Sequence, residues 1–126
     1  MPNFKDLHKK WKKAKDDAKG QYDYWTALYM QVSVGNVSYG GPAWPKFNMD
    51  LGPNLDKLEK NKDVEKSKVK AIKAVEQYGK DIQAFYEAAE KTDADSKDKL
   101  ARQDAALKEI KKLEEVRKEI AKALKE

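Results

Sequence analysis

The chain has 126 residues, no cysteine, 39% charged residues and a formal net charge of +5. That length fits a single domain, 1–126, and leaves no room for a second independent core, while the missing thiols exclude disulfides, thiolate catalysis and cysteine-ligated zinc. No apolar run approaches the ~20 residues that cross a bilayer, and the opening MPNFKDLHKKWKK has no apolar core of a secretory signal behind its lysines, so a soluble and most simply cytoplasmic protein is expected.

Phe4, Leu7, Trp11, Ala14, Ala18, Tyr22, Trp25, Tyr29 and Val32 follow one another at steps of three or four, which predicts a first helix over about 4–31. Asn3 is its candidate N-cap. Gly20 costs about 1 kcal/mol relative to Ala inside a helix without breaking the pattern. The basic excess is concentrated here, since the first 20 residues carry seven Lys against three Asp.

Residues 32–53 then interrupt the charged, helix-forming composition with four of the six glycines and three of the four prolines. VSVGNVSY alternates about Gly35-Asn36, the pattern of a short β-hairpin with a two-residue turn, and its apolar face needs something to dock on. A connection of roughly 20 residues between helices is long, so this insert is expected to be ordered or functional. Either Trp44 and Phe47 complete the core as a lid, or Tyr39, Trp44, Phe47 and Met49 form a partner-binding surface on a Pro-constrained backbone.

A second helix is predicted over about 54–91, capped by Asn54 and carrying Leu55, Leu58, Val69, Ile72, Val75, Tyr78 or Gly79, Ile82, Phe85 or Tyr86, and Ala89. Between its two apolar parts, EKNKDVEKSK (59–68) offers only Val64, so there the helix stands clear of the core or loosens. KTDADSKD supplies a turn with Asp95 or Ser96 as the next cap, and a third helix follows over about 96–125 with Leu100, Leu107, Ile110, Leu113, Val116, Ile120 and Leu124. Charge pairs four apart, such as Lys111–Glu115 and Glu114–Lys118, support it by ~0.2–0.5 kcal/mol each.

These elements predict an all-α fold, an elongated antiparallel three-helix bundle roughly 45 Å long at ~1.5 Å per residue. With the first two helices antiparallel, Trp11 falls near Tyr78 and Phe4 near Phe85. Tyr22, Trp25 and Tyr29 then face the polar stretch 59–68, an open end for the insert to cover.

His8 has no second histidine or cysteine beside it and reads as a surface residue, and most carboxylates have a Lys or Arg one helical turn away, the pattern of a solvated face. DADSKD resembles the start of a calcium loop, yet Lys97 takes a ligand position and Asp98 replaces the required glycine, so neither metal nor cofactor is expected. Gly40-Gly41 lacks the Gly-Lys-Ser signature of a phosphate cradle. The charge asymmetry of the first helix, with Lys5, Lys9, Lys12 and Lys13 as candidate anion-binding residues, suits nucleic-acid phosphate or an anionic membrane surface. Asp6, Asp16 and Asp17 dilute it, and a solvated helix is the simpler account.

Trp44 lies between two helices, and Tyr86-Glu87-Ala88-Ala89-Glu90 fits a Tyr-x-x-x-Asp/Glu pattern after the second. In those two respects the chain resembles the small secreted WXG-type helical hairpins, which implies export without a cleavable signal. Pro45 and Lys46 stand where that family's turn carries its glycine, and a third helix follows.

The function expected is that of a non-catalytic protein–protein interaction or structural scaffold protein, binding through the 32–53 insert or exposed helix faces, with self-association as a homo-oligomer plausible. The alternatives are an anionic-surface binder and the WXG-like exported protein.

Overall fold

A computed structural model of the chain describes residues 3–32 (side chains through 28), 42–47, 51–92 and 94–126. The described residues contain four helices, α1 Phe4–Val32, α2 Leu51–Glu59, α3 Val64–Glu90 and α4 Lys97–Lys125. The all-α class is as expected. The helix count differs, because the expected second helix is divided. The hairpin expected about Gly35-Asn36 lies outside the described residues.

Each boundary has a local cause. Asn3 caps α1: its Oδ1 accepts from the Asp6 backbone N–H at 3.1 Å, and its Nδ2 donates back to Asp6 Oδ2 at 2.9 Å. Ser96 caps α4, accepting from the Lys99 backbone N–H at 3.2 Å. Asn54, the cap expected for the second helix, is instead buried inside α2. That helix starts three residues earlier and tolerates Pro53 because the first turn has no intrahelical use for its N–H.

The break between α2 and α3 is a Schellman closure. Asn61 takes a left-handed φ of 57°, its N–H donates to the Leu58 carbonyl at 3.2 Å, and the Lys62 N–H donates to the Lys57 carbonyl at 2.8 Å. Asp63 is left-handed too, at φ 47°. Asn and Asp are the non-glycine residues that accept this region most readily. The polar stretch 59–68 therefore holds a helix terminus, a turn and a new helix start.

The direction of the chain follows from contacts at both ends of each pair. Lys10 meets Glu119 at 3.2 Å while the Arg102 guanidinium lies over the Tyr24 ring, so α4 runs antiparallel to α1. Arg117 donates to the Val75 carbonyl and Gln103 to the Ala89 carbonyl, so α4 also runs antiparallel to α3. Hence α1 and α3 are parallel. Trp11 does stack on Tyr78, at 5.2 Å between centroids and 5° between planes. Phe85, however, meets Tyr22 and Trp25 at 6.0 and 6.3 Å, where the antiparallel register would have put Phe4.

The insert explains the reversal. Tyr22 Oη donates to the Pro42 carbonyl at 2.8 Å, Phe47 sits edge-on to Trp11 at 5.7 Å, and Gly52 lies against His8. From the far end of α1 the chain thus travels back along it, first as residues 42–47 without regular structure and then as α2, whose Glu59 accepts from the Lys5 backbone N–H. A descent past about 20 helical residues covers ~30 Å, which 18 connecting residues span with slack to spare. The result is four rods running up, down, up and down, the second of them made of the irregular residues 42–47 and the helix α2.

Small residues set the spacing. Ala18 on α1 and Ala106 on α4 are fully buried, so these backbones pack closely. No Cα pair of α1 and α3 comes within 8 Å, and that wider gap is filled by Trp11, Tyr22, Trp25, Tyr78 and Phe85 together with Trp44 and Phe47 of the insert.

Candidate functional site

The insert leaves a groove on the outer side of its junction with α1. His8, Lys12, Lys15 and Lys19 recur on α1 at steps of four, three and four, which puts them on one edge beside the Trp11–Tyr22 stripe. Opposite them stand Trp44, Pro45, Lys46 and Phe47, followed by Gly52, Pro53 and Asp56 of α2. Two shallow depressions, of about 430 and 310 Å³, meet at Lys15, which lines both.

The backbone on the insert side is stiff. Pro42 and Pro45 are buried and hold φ near −65°, so the intervening Trp44 ring is presented with little freedom lost. Trp44 is half-buried, tilted against Tyr22 at 5.2 Å and edge-on to Phe47 at 5.6 Å. Lys19 Nζ lies 5.3 Å from the Tyr22 centroid and 5.8 Å from that of Trp44, contacts worth ~0.5–1 kcal/mol each at such a site.

The charges are uneven. Lys19 is paired with Asp23, and Asp56 with Lys60 at 3.0 Å. Lys12, Lys15 and Lys46 have no carboxylate within ion-pair distance among the described residues, leaving Asp16 as the acidic member of the groove without a salt bridge. His8 is partly buried at the lower end. Its pKa is pushed below 6.5 mainly by that burial and then by Lys12, with Lys15 adding to the effect and Asp56 opposing it. At neutral pH the imidazole is therefore uncharged. An ammonium-lined groove with an aromatic wall can hold carboxylates or phosphates attached to an apolar or aromatic body.

Trp44 and Phe47, expected as partner-binding residues, come together here with part of each ring in the core and part at the surface. Tyr39 and Met49 lie outside the described residues. Among the expected anion-binding lysines, only Lys12 lines the groove. Lys5 and Lys9 are exposed elsewhere on α1, and Lys13 is held by Asp17 at 2.7 Å, a bond that also raises its pKa. The spacing 8, 12, 15, 19 beside an aromatic stripe was the available signal for Lys15 and Lys19. Lys46 had none, because only the return of the insert along α1 brings it there.

Two motifs are absorbed by the fold. Tyr86, from the Tyr-x-x-x-Glu pattern, donates its hydroxyl to the Leu107 carbonyl at 3.0 Å, and burial raises its pKa. Asp95, from the calcium-like run, accepts from Lys99 Nζ at 2.8 Å, an ion pair with a lysine side chain only 5% exposed. Comparison with known protein families, curated proteins and solved structures gives no match.

Proposed function

We propose that this is a soluble, non-catalytic interaction protein that binds an acidic segment of a protein partner in the groove between α1 and the insert. The observation that supports it is the juxtaposition of the half-buried Trp44 and Phe47 with Lys15 and Lys46, and with Lys12 in the adjoining depression, three lysines that make no salt bridge among the described residues. Aromatic anchors supply area at low entropic cost, and a rim with an excess of lysines supplies orientation and a fast encounter. The reading includes the hairpin about Gly35-Asn36 and the side chains of Tyr39 and Met49, which precede and follow the groove segment in the chain.

The test uses a fluorescent peptide of alternating Glu, Pro and Phe, which cannot become helical, titrated against the intact protein. Lys15→Glu with Lys46→Glu is expected to weaken binding at least about tenfold, reversing two rim charges that each contribute on the order of 1 kcal/mol or more. Lys9→Glu with Lys13→Glu leaves it within about twofold, since neither lysine lines the groove. Equal losses from both pairs, with the same pattern for single-stranded DNA or phosphatidylserine vesicles and a steep salt dependence, would instead favour the anionic-surface binder.

A further inference from the structure

On the side of the bundle formed by α3 and α4 the apolar pattern overruns the core. Val69 is 53% exposed on α3, three residues before Ile72, and one exposed valine would mean nothing alone. It stands, however, one turn from a depression of about 410 Å³ between the two helices, floored by Ile72, Val75 and Ala121. The α4 edge of the rim is basic. Lys118, Lys122 and Lys125 recur at steps of four and three along the α4 edge, and Glu76 is the one acidic side chain lining the depression. Arg117, at its inner end, is neutralised by two hydrogen bonds to Glu114.

This groove shares no lining residue with the one between α1 and the insert. It lies parallel to two antiparallel helices, a shape that accepts a third helix packed by ridges into grooves. An apolar floor calls for an apolar stripe on that helix, and the lysine rim calls for carboxylates beside the stripe.

We propose that the α3–α4 groove is a second docking surface, and that its occupant is an acidic amphipathic helix of a partner protein. The chain is then bivalent and joins two acidic partners from opposite sides of one rigid bundle. This inference stands on different residues from the first groove and survives if that reading fails.

The experiment is fluorescence anisotropy on the full chain. The probe is a labelled helical peptide about five turns long, with Leu at i, i+3, i+4 and i+7 and Glu on both flanks. A scrambled peptide of the same composition is the control. The amphipathic peptide is expected to bind at least about tenfold tighter than the scramble. Val69→Glu, which sits on the surface and leaves the bundle folded, and the pair Lys118→Glu with Lys122→Glu should each remove that advantage. Lys15→Glu with Lys46→Glu should preserve it. The proposal is overturned if both peptides bind alike, or if binding is lost only with the Lys15/Lys46 pair. It is also overturned if sedimentation of the peptide-free protein shows a dimer that Val69→Glu dissociates, because the groove then belongs to a second copy of the chain.

Discussion

Gly79 and Arg117 illustrate how a single contact reverses a propensity argument. In mid-helix a glycine costs about 1 kcal/mol against alanine. A Cβ on Gly79 would stand 2.9 Å from the Arg117 Cζ, and that guanidinium donates to the Val75 carbonyl at 3.0 Å while Glu114 holds its other edge. The arginine can move aside, but only by giving up a charged hydrogen bond worth ~1.5–3 kcal/mol. Gly20 has nothing within 4 Å of its Cβ position. Gly20→Ala is therefore expected to stabilise the protein by about 1 kcal/mol in urea denaturation, whereas Gly79→Ala is neutral or destabilising. In an Arg117→Ala background Gly79→Ala should recover its ~1 kcal/mol, and equal gains at both glycines in the parent chain would refute the Arg117 contact.

At the scale of the element, the returning insert and α2 behave as one rod held to α1 by a few groups. Tyr22→Phe removes the hydroxyl that donates to the Pro42 carbonyl and should cost about 1 kcal/mol. With Trp11 and Trp25 replaced by Phe and helicity confirmed by circular dichroism, Trp44 should emit at blue-shifted wavelengths and resist acrylamide partially. Adding Tyr22→Phe should then raise the quenching. Fully accessible emission from Trp44 before that change would contradict its packing on Tyr22 and Phe85.

Lower on the same rod, His8 makes α2 docking sensitive to pH. Its folded-state pKa lies below the ordinary 6.5, with burial the main cause, Lys12 and Lys15 of α1 acting in the same direction and Asp56 of α2 against. The unfolded chain therefore takes up the proton first. The contribution of His8 is complete above 6.5 and is lost as pH falls from there through the folded-state value. The urea midpoint should drop between about pH 7 and 5, before carboxylates titrate, and His8→Gln should flatten that window. A parent midpoint that does not move there would show that His8 is not packed against Gly52.

For the whole molecule, the sequence alone determined the all-α class, the extent of α1, the cap Asn3, the choice of Asp95 or Ser96 for the later cap and the α3–α4 hairpin. These follow from local periodicity, from hydrogen bonds within a few residues and from a short connection that forces neighbours to be antiparallel. The Trp11–Tyr78 contact was also legible, although the antiparallel register used to reach it was wrong. The break at 60–63 was visible as a polar stretch whose consequence stayed open, because a helix terminus and an exposed helix carry the same composition. What only the tertiary structure decided was the parallel run of α1 and α3, and with it the groove. An 18-residue connection can reach either end of α1, and the choice depends on where Trp44, Phe47 and Phe85 jointly bury the most apolar surface. That sum is taken over residues far apart in the chain, so no local pattern could place Lys46 beside Lys15 or leave Lys118 and Lys122 as the rim of a second surface.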